Sequence, residues 1–236
     1  MIAAASMTAG AEASPPLRYE RKFVADGSGL PETLALVRRQ RALFRPTFPD
    51  RMINNVYFDS PELKDYFAHV GGAAERAKTR VRWYGELAGR VAAPTLEIKF
   101  KRGLVSGKKS FRLAAWSFDA APSPAAESLA QSLAAAGLAE DVRAALCHRA
   151  PVLLNRYRRF YFQSADGRFR LTVDGELQFA AWSGGRLALA RVPGVIVEIK
   201  YEPRHADAVE RITGELPFRL TRSSKYVLGV ERVLAF

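Results

Sequence analysis

Cysteine is almost missing from this chain. Cys147 is the only one in 236 residues, so no internal disulfide can form and a reducing compartment is expected. It adjoins the Ala/Leu-rich stretch Val142–Leu146, which predicts a buried, inert thiol. Histidine is nearly as scarce, and His69, His148 and His205 share no metal-ligand spacing, which argues against a zinc site. No run approaches the roughly 20 apolar residues that a membrane-spanning helix needs, so the chain is expected to lack a transmembrane segment and to be cytoplasmic. The small residues of Met1–Pro16 come without a basic start or a leucine-rich centre, and read as a disordered leader rather than a signal peptide. The side chains of a Ser/His/Asp or Cys/His nucleophile are not arranged in any recognisable order. Acid is also in short supply. Twenty-four Asp and Glu face 36 Lys and Arg, a net charge of +12. That excess calls for a polyanionic partner: nucleic acid, an acidic membrane surface or a phosphorylated small molecule.

What is present is alternation. Period-two patterns predict strands over Arg18–Val24, Asn54–Asp59, Lys78–Tyr84, Thr95–Lys101, Lys108–Leu113, Leu154–Phe162, Phe169–Asp174, Glu176–Trp182 and Gly194–Tyr201. Glycine-bearing turns separate the central ones, at Gly85–Gly89 and Gly103–Gly107. Helical spacing appears over Leu30–Leu43, with Pro31 in the first turn, over Glu62–His69 and over Arg204–Leu216. Ala120–Pro124 reads as a loop, and Ala125–Leu146 as one or two helices broken near Gly137. The last segment is Thr221–Val230. No repeat or linker divides the chain, so residues 17–236 are expected to form one domain. About eight strands with few helices predict a mainly β (α+β) fold, a closed antiparallel barrel with flanking helices.

The polar face of each strand carries the information. Lys22 and Glu20 share a face, as do Arg80 and Arg82. Glu97, Lys99 and Lys101 share another, and Lys108, Ser110 and Arg112 alternate with Lys109, Phe111 and Leu113. Arg170, Thr172 and Asp174 lie opposite Phe169, Leu171 and Val173, while Glu198 and Lys200 lie opposite Val197, Ile199 and Tyr201. Any single Glu-x-Lys pair is usually a solvated strand face. Repetition over six or seven strands is harder to explain that way. If the barrel closes with these faces inward, about ten cations would repel one another strongly unless a polyanion sat among them. A triphosphate supplies the anion through charge-assisted bonds. Glu20 and Glu198 are oxygen donors suited to Mg²⁺ or Mn²⁺. Trp83, Phe100 and Phe111 point away from the cations, which disfavours a base-stacking nucleic-acid sheet.

Seven short motifs occur in order: Tyr19-Glu20-Arg21-Lys22-Phe23, Asn55-Val56-Tyr57-Phe58-Asp59, Lys78-Thr79-Arg80-Val81-Arg82-Trp83-Tyr84-Gly85, Leu96-Glu97-Ile98-Lys99, Arg170-Leu171-Thr172-Val173-Asp174, Val197-Glu198-Ile199-Lys200 and Ser224-Lys225-Tyr226. Together they resemble the VTC-type polyphosphate polymerase domain, a branch of the triphosphate tunnel metalloenzymes, from about Arg18 to Val230. The resemblance implies a tunnel in which the γ-phosphoryl of ATP moves onto a phosphate chain with Mn²⁺ or Mg²⁺ as cofactor. It implies phosphate contacts from Lys22, Arg80, Arg82, Lys99, Lys108, Arg159 and Arg170, and from Arg222, Ser224 and Lys225. Lys101, Arg112, Lys200 and Tyr57 join the substrate-binding set. Glu198 is implied as the main metal ligand, with Glu20 and Glu97 nearby, and Tyr57 and Asp59 either orient the attacking phosphate or serve as core and turn residues. A membrane-protein partner that draws product away is also compatible with it. Two departures stand out. Arg18 replaces the first acid of the Glu-x-Glu-x-Lys opening, which favours the polymerase branch over phosphatases and cyclases. The stretch Lys108-Lys109-Ser110-Phe111-Arg112 leaves open whether Lys108 or Lys109 faces inward. A tripolyphosphate or nucleoside-triphosphate hydrolase and a non-catalytic polyphosphate sensor are the competing readings.

Overall fold

The computed structural model describes residues 19–234 apart from 26, 104, 120–121, 183–186 and 223, with the side chains of 122–124 also left aside. The leader expected over Met1–Pro16, Arg18 at the start of the first expected strand, and the first two residues of the Ala120–Pro124 loop lie outside this set. In chain order the elements are β1 (Tyr19–Val24), α1 (Leu30–Arg39), β2 (Arg45–Asp59), α2 (Lys64–Val70), β3 (Glu75–Tyr84), β4 (Gly89–Val91), β5 (Thr95–Arg102) and β6 (Val105–Arg112). They continue with β7 (Trp116–Phe118), α3 (Pro122–Ala134), α4 (Glu140–Cys147), β8 (Ala150–Gln163), β9 (Phe169–Ala181), β10 (Ala190–Arg191) and β11 (Ile196–Tyr201). A 3₁₀ turn at Pro203–His205 leads to α5 (Ala206–Thr213), β12 (Arg219–Thr221) and α6 (Lys225–Val233).

Ten strands form one antiparallel sheet in the order β12-β1-β11-β9-β8-β2-β3-β5-β6, with β10 on the side of β9, while β4 and β7 pair separately. The expected barrel is therefore not closed by hydrogen bonds: among the described residues no ladder joins β6 to β12. The two edges suggest why. β12 has three residues, and β6 carries Lys108, Lys109 and Arg112 on a largely exposed strand, the kind of charged edge that resists further pairing. The sheet nevertheless curls, because residues of β1 and β11 near one end and of β3, β5 and β6 at the other line one cavity.

Two apolar clusters cover the outside of the curl. Val56, Val81, Trp83, Leu96 and Phe118 pack with Leu129 of α3 and Val142 of α4, and Phe23, Leu171, Val173, Val197 and Ile199 pack with Val37 of α1 and Val209 of α5. A third lies inside it, where Tyr57, Leu153, Tyr157, Leu177 and Phe179 meet Tyr226 and Val230 of α6. Each fully buried side chain of this size contributes about 1.5–3 kcal/mol. Close approach fixes Gly229: a Cβ there would lie 2.4 Å from the Phe179 ring and 2.6 Å from a Leu153 methyl.

Several elements differ from expectation. The two strands expected over Phe169–Asp174 and Glu176–Trp182 are one strand, β9, with a register shift opposite Arg156 and Arg158 and with Glu176 at φ 54°. The extra residue shifts the alternation, so Asp174 and Leu177 both point into the curl. β2 extends back to Arg45 through Pro46 and Pro49, at the cost of register shifts that period-two reading does not foresee. α1 stops at Arg39, because the side chain of Gln40 leaves the helix to donate to Ile212 O (2.9 Å) and to accept from Ala42 N (2.7 Å). Cys147 is exposed at the end of α4, not buried as its sequence neighbours implied, since Leu146 rather than Cys147 packs toward the core.

Candidate functional site

The inward face of the curl forms a cavity of about 220 Å³ into which nine cations project: Lys22, Lys78, Arg80, Arg82, Lys99, Lys108, Arg159, Lys200 and Lys225. Alternation places them there. In β3, Thr79, Val81 and Trp83 are buried on the outer face, so Lys78, Arg80 and Arg82 turn inward. In β5, Leu96 and Ile98 do the same for Glu97 and Lys99. Four carboxylates answer the nine cations, and they fall into three groups.

Glu97 accepts from Arg80 Nη2 (2.6 Å) and Lys108 Nζ (2.5 Å), with Arg82 Nη1 at 3.6 Å. Burial alone would raise this carboxyl, but Arg80, Arg82 and Lys108 bring it down to about 2. Lys108 is thus the inward residue of β6, and Lys109 pairs outside with Asp141 of α4. Asp174, fully buried, accepts from Arg159 (2.6 and 2.7 Å) and from Lys225 Nζ (2.6 Å). The third group is Glu20 and Glu198, bridged by two lysines. Lys200 Nζ lies 2.9 Å from Glu198 and 3.5 Å from Glu20, and Lys22 pairs with Glu20 and lies 3.7 Å from Glu198. Burial opposes ionisation of Glu198, yet Lys200 and Lys22 hold it well below the usual carboxylate range.

Lys78 and Lys99 have only like charges close by or carboxylates at longer range. Burial, with Lys22, Lys99 and Arg80 around it, lowers Lys78 to about 7. Burial of its amine, with Arg80 and Lys200 near, lowers Lys99 to about 8 although the residue keeps contact with water.

α6 closes one side of the cavity, and its N-cap and first two residues have distinct tasks. Ser224 caps the helix through Val227 N (3.5 Å). Lys225 reaches Asp174 and stands 4.7 Å above the Tyr157 ring. The Tyr226 hydroxyl donates to the buried Asp59, which also accepts from Ser60, Asp65 and Tyr66 amides at 2.7–2.9 Å and so caps α2. Asp59 is therefore spent on structure. Tyr57 lines the cavity, its hydroxyl accepting from Arg80 at 3.2 Å.

The expected site residues divide accordingly. The structure brings together Lys22, Tyr57, Arg80, Arg82, Lys99, Lys108, Arg159, Glu198, Lys200, Ser224 and Lys225, with Glu20 and Glu97 in ion pairs beside them. Arg170 shares the face of Asp174 but is exposed four residues away, Lys101 lies two residues beyond Lys99, and Arg112 and Arg222 are exposed; none of these four lines the cavity. Lys78, Tyr157 and Asp174 are not among the expected site residues, yet the first two line the cavity and the third pairs with Arg159 and Lys225. The first opens the Lys-x-Arg-x-Arg run of β3, so its signal was visible; Tyr157 reads as core.

The donor set suits a hard divalent cation. Glu20 and Glu198 already converge on positive charge, and Mg²⁺ is commonly held by one or two carboxylates plus substrate phosphate oxygens. Glu97 differs, since three cations share its two oxygens. Among the described residues no cluster of three or more His, Cys, Asp or Glu forms a self-sufficient metal site.

Solved structures share the fold. A candidate adenylate cyclase from Bacillus halodurans aligns at TM-score 0.54 and 13% identity over 92% of this chain and 97% of its own. The PH1819 protein from Pyrococcus horikoshii OT3 aligns at 0.51 and 15% over 92% and 99%, and a candidate adenylate cyclase from Vibrio parahaemolyticus at 0.50 and 13% over 91% and 99%. No curated protein matches the chain. The VTC domain, by contrast, matches residues 17–234, from just before β1 to the end of α6, and the chain belongs to the VTC domain family.

Proposed function

We propose that this protein is a metal-dependent phosphotransferase that builds inorganic polyphosphate from the γ-phosphate of ATP. The observation that carries the reading is the convergence of nine cations from six strands and one helix on a small cavity, beside the Glu20–Glu198 pair. Phosphoryl transfer leaves the protein little covalent work, so positioning and neutralisation of oxygen charge dominate. Arg80, Arg82 and Arg159 offer planar donors already oriented by Glu97 and Asp174, and these fix the phosphate chain. Lys22, Lys78, Lys99 and Lys200 add compact point charges to the same cavity. Glu198 and Glu20 would hold Mg²⁺ or Mn²⁺, which when bound neutralises charge on the transferring phosphoryl oxygens. Glu97, occupied by three cations, orients them. The match to the VTC domain supports the polymerase reading over a hydrolase of the same fold. The test is incubation of the pure protein with ATP and Mn²⁺. Accumulating polyphosphate supports the proposal, and accumulating free phosphate alone replaces it with hydrolysis.

No helix among the described residues is long and apolar enough to cross a membrane. A membrane-protein partner and a cytoplasmic location stay proposals, to be tested by fractionation.

A further inference from the structure

An aromatic cluster continues the cavity wall. Tyr84 lies two residues beyond Arg82 in β3, and Tyr161 two beyond Arg159 in β8, each on the face of the arginine it follows. At about 3.4 Å per strand residue, each ring stands roughly 7 Å from a proposed phosphate ligand. β2 adds Phe48, whose ring meets Tyr161 edge-on at 5.8 Å, and Arg51, paired in register with Arg159. The Arg51 guanidinium sits 5.8 Å from the Phe48 ring, 5.8 Å from Tyr84 and 5.9 Å from Tyr161. Arg51 has no carboxylate within 4.0 Å among the described residues, and it is exposed.

Burial does not explain this cluster. Phe48 is 59% exposed and Tyr84 51%, so two large rings give up most of the hydrophobic stabilisation that inward packing brings. They are held beside a cation instead, in an arrangement that offers flat π faces and a planar donor to something outside. A ligand with phosphates on Arg82 and Arg159 and a ribose spanning the next few ångströms would bring its base to these rings. Aromatic and guanidinium planes bind bases of any identity by stacking.

We infer that Phe48, Tyr84, Tyr161 and Arg51 form the nucleobase subsite for a nucleoside triphosphate whose phosphates occupy the cationic cavity. The inference rests on the phosphate reading of that cavity and extends it: the donor is a nucleotide, held weakly and with little preference among bases, and inorganic tripolyphosphate leaves the subsite unused. Stacking on ring and guanidinium planes does not distinguish one base from another, so ATP and GTP should differ little.

Calorimetric titration of the intact protein with ATP and with inorganic tripolyphosphate separates the two readings. The Phe48→Ala/Tyr84→Ala variant should bind ATP about tenfold more weakly, within the range for loss of a base–ring stack, and bind tripolyphosphate as the native protein does. Saturation-transfer NMR should show the adenine protons close to protein in the native chain and lose that signal in the variant. Both rings are exposed, and an unchanged stabilisation by tripolyphosphate would verify that the variant is folded. Equal weakening of both ligands, or of neither, overturns the base subsite while the cavity stands. If Arg82→Ala leaves tripolyphosphate binding unaltered, the phosphate reading and the subsite built on it both fall. ATP and GTP affinities that differ by more than about tenfold would overturn the claim of stacking without base-edge readout.

Discussion

Lys78 has an amine among Lys22, Lys99 and Arg80 and, among the described residues, no carboxylate within 4.0 Å, so an empty cavity is costly at this residue. Its pKa near 7 in the folded chain lies below the ordinary lysine value. Below pH 7 both folded and unfolded chains are protonated and the full cost of charging Lys78 is carried by the fold. Between about 7 and 10 the unfolded chain binds more protons, so stability rises with pH over that window. Binding has the opposite sign: a phosphate chain favours the ammonium form, so binding at pH 8 should take up protons. Titrating tripolyphosphate in buffers of different ionisation enthalpy measures that uptake, and Lys78→Met should reduce it while making the free protein more stable. Glu198 makes a second test at this scale. Glu198→Gln should keep the fold and lower polyphosphate synthesis by at least about 10²-fold, because charge held by a bound metal supplies several kcal/mol. Near-normal turnover of that variant at saturating Mn²⁺ would place the metal elsewhere.

At the scale of elements, α6 connects the site to the core. Its Ser224 cap, its Lys225 bond to Asp174 and its Tyr226 bond to Asp59 join the helix to β9, to β2 and, through Asp59, to α2. Tyr226→Phe leaves the ring in its cluster but removes a donor from a fully buried carboxylate, so a loss of about 1–3 kcal/mol is expected in denaturant unfolding. The fold class and the facing of β1, β3, β5 and β11 were legible in the sequence, because one buried apolar face forces strict alternation. The bulge in β9 was not, since its register depends on Arg156 and Arg158 opposite it in β8. Nor was the open edge at β6, where the same lysines that looked like site residues also limit pairing. The cation set was legible as a pattern; its division by Glu97 and Asp174 was not, because those pairings join strands far apart in sequence. Asp174 stands on the same strand face as Arg170, but nothing in the alternation shows that it, rather than Arg170, pairs with the cavity cations Arg159 and Lys225. The exposed rings were not legible for a related reason: Phe48 lies before the expected strand Asn54–Asp59, in the part of β2 with register shifts, and Tyr84 ends β3.

For the molecule as a whole, the question is whether the net charge of +12 acts as a diffuse field or through a shaped cavity. A field attracts any anion and is screened beyond about 10 Å at 0.1 M salt. A cavity with nine cations against four carboxylates distinguishes anions by shape, so tripolyphosphate should raise the melting temperature more than sulfate at matched ionic strength. Two single-charge variants sharpen the test. Arg39→Ala removes an exposed cation at the end of α1, away from the cavity. Arg82→Ala removes one that lines the cavity, donates to Asn55 at 3.1 Å and lies 3.6 Å from Glu97. Under a diffuse field the two losses weaken tripolyphosphate binding equally and vanish at high salt. With direct contact in a partly dry cavity, Arg82→Ala costs about 1.5–3 kcal/mol of binding, the range for hydrogen bonds to charged groups, and Arg39→Ala almost nothing. Much of the Arg82 deficit should also persist at high salt, since buried pairs are screened less than exposed ones. Calorimetry on both variants at two salt concentrations decides between the two pictures, and indistinguishable variants would end the case for a shaped phosphate site.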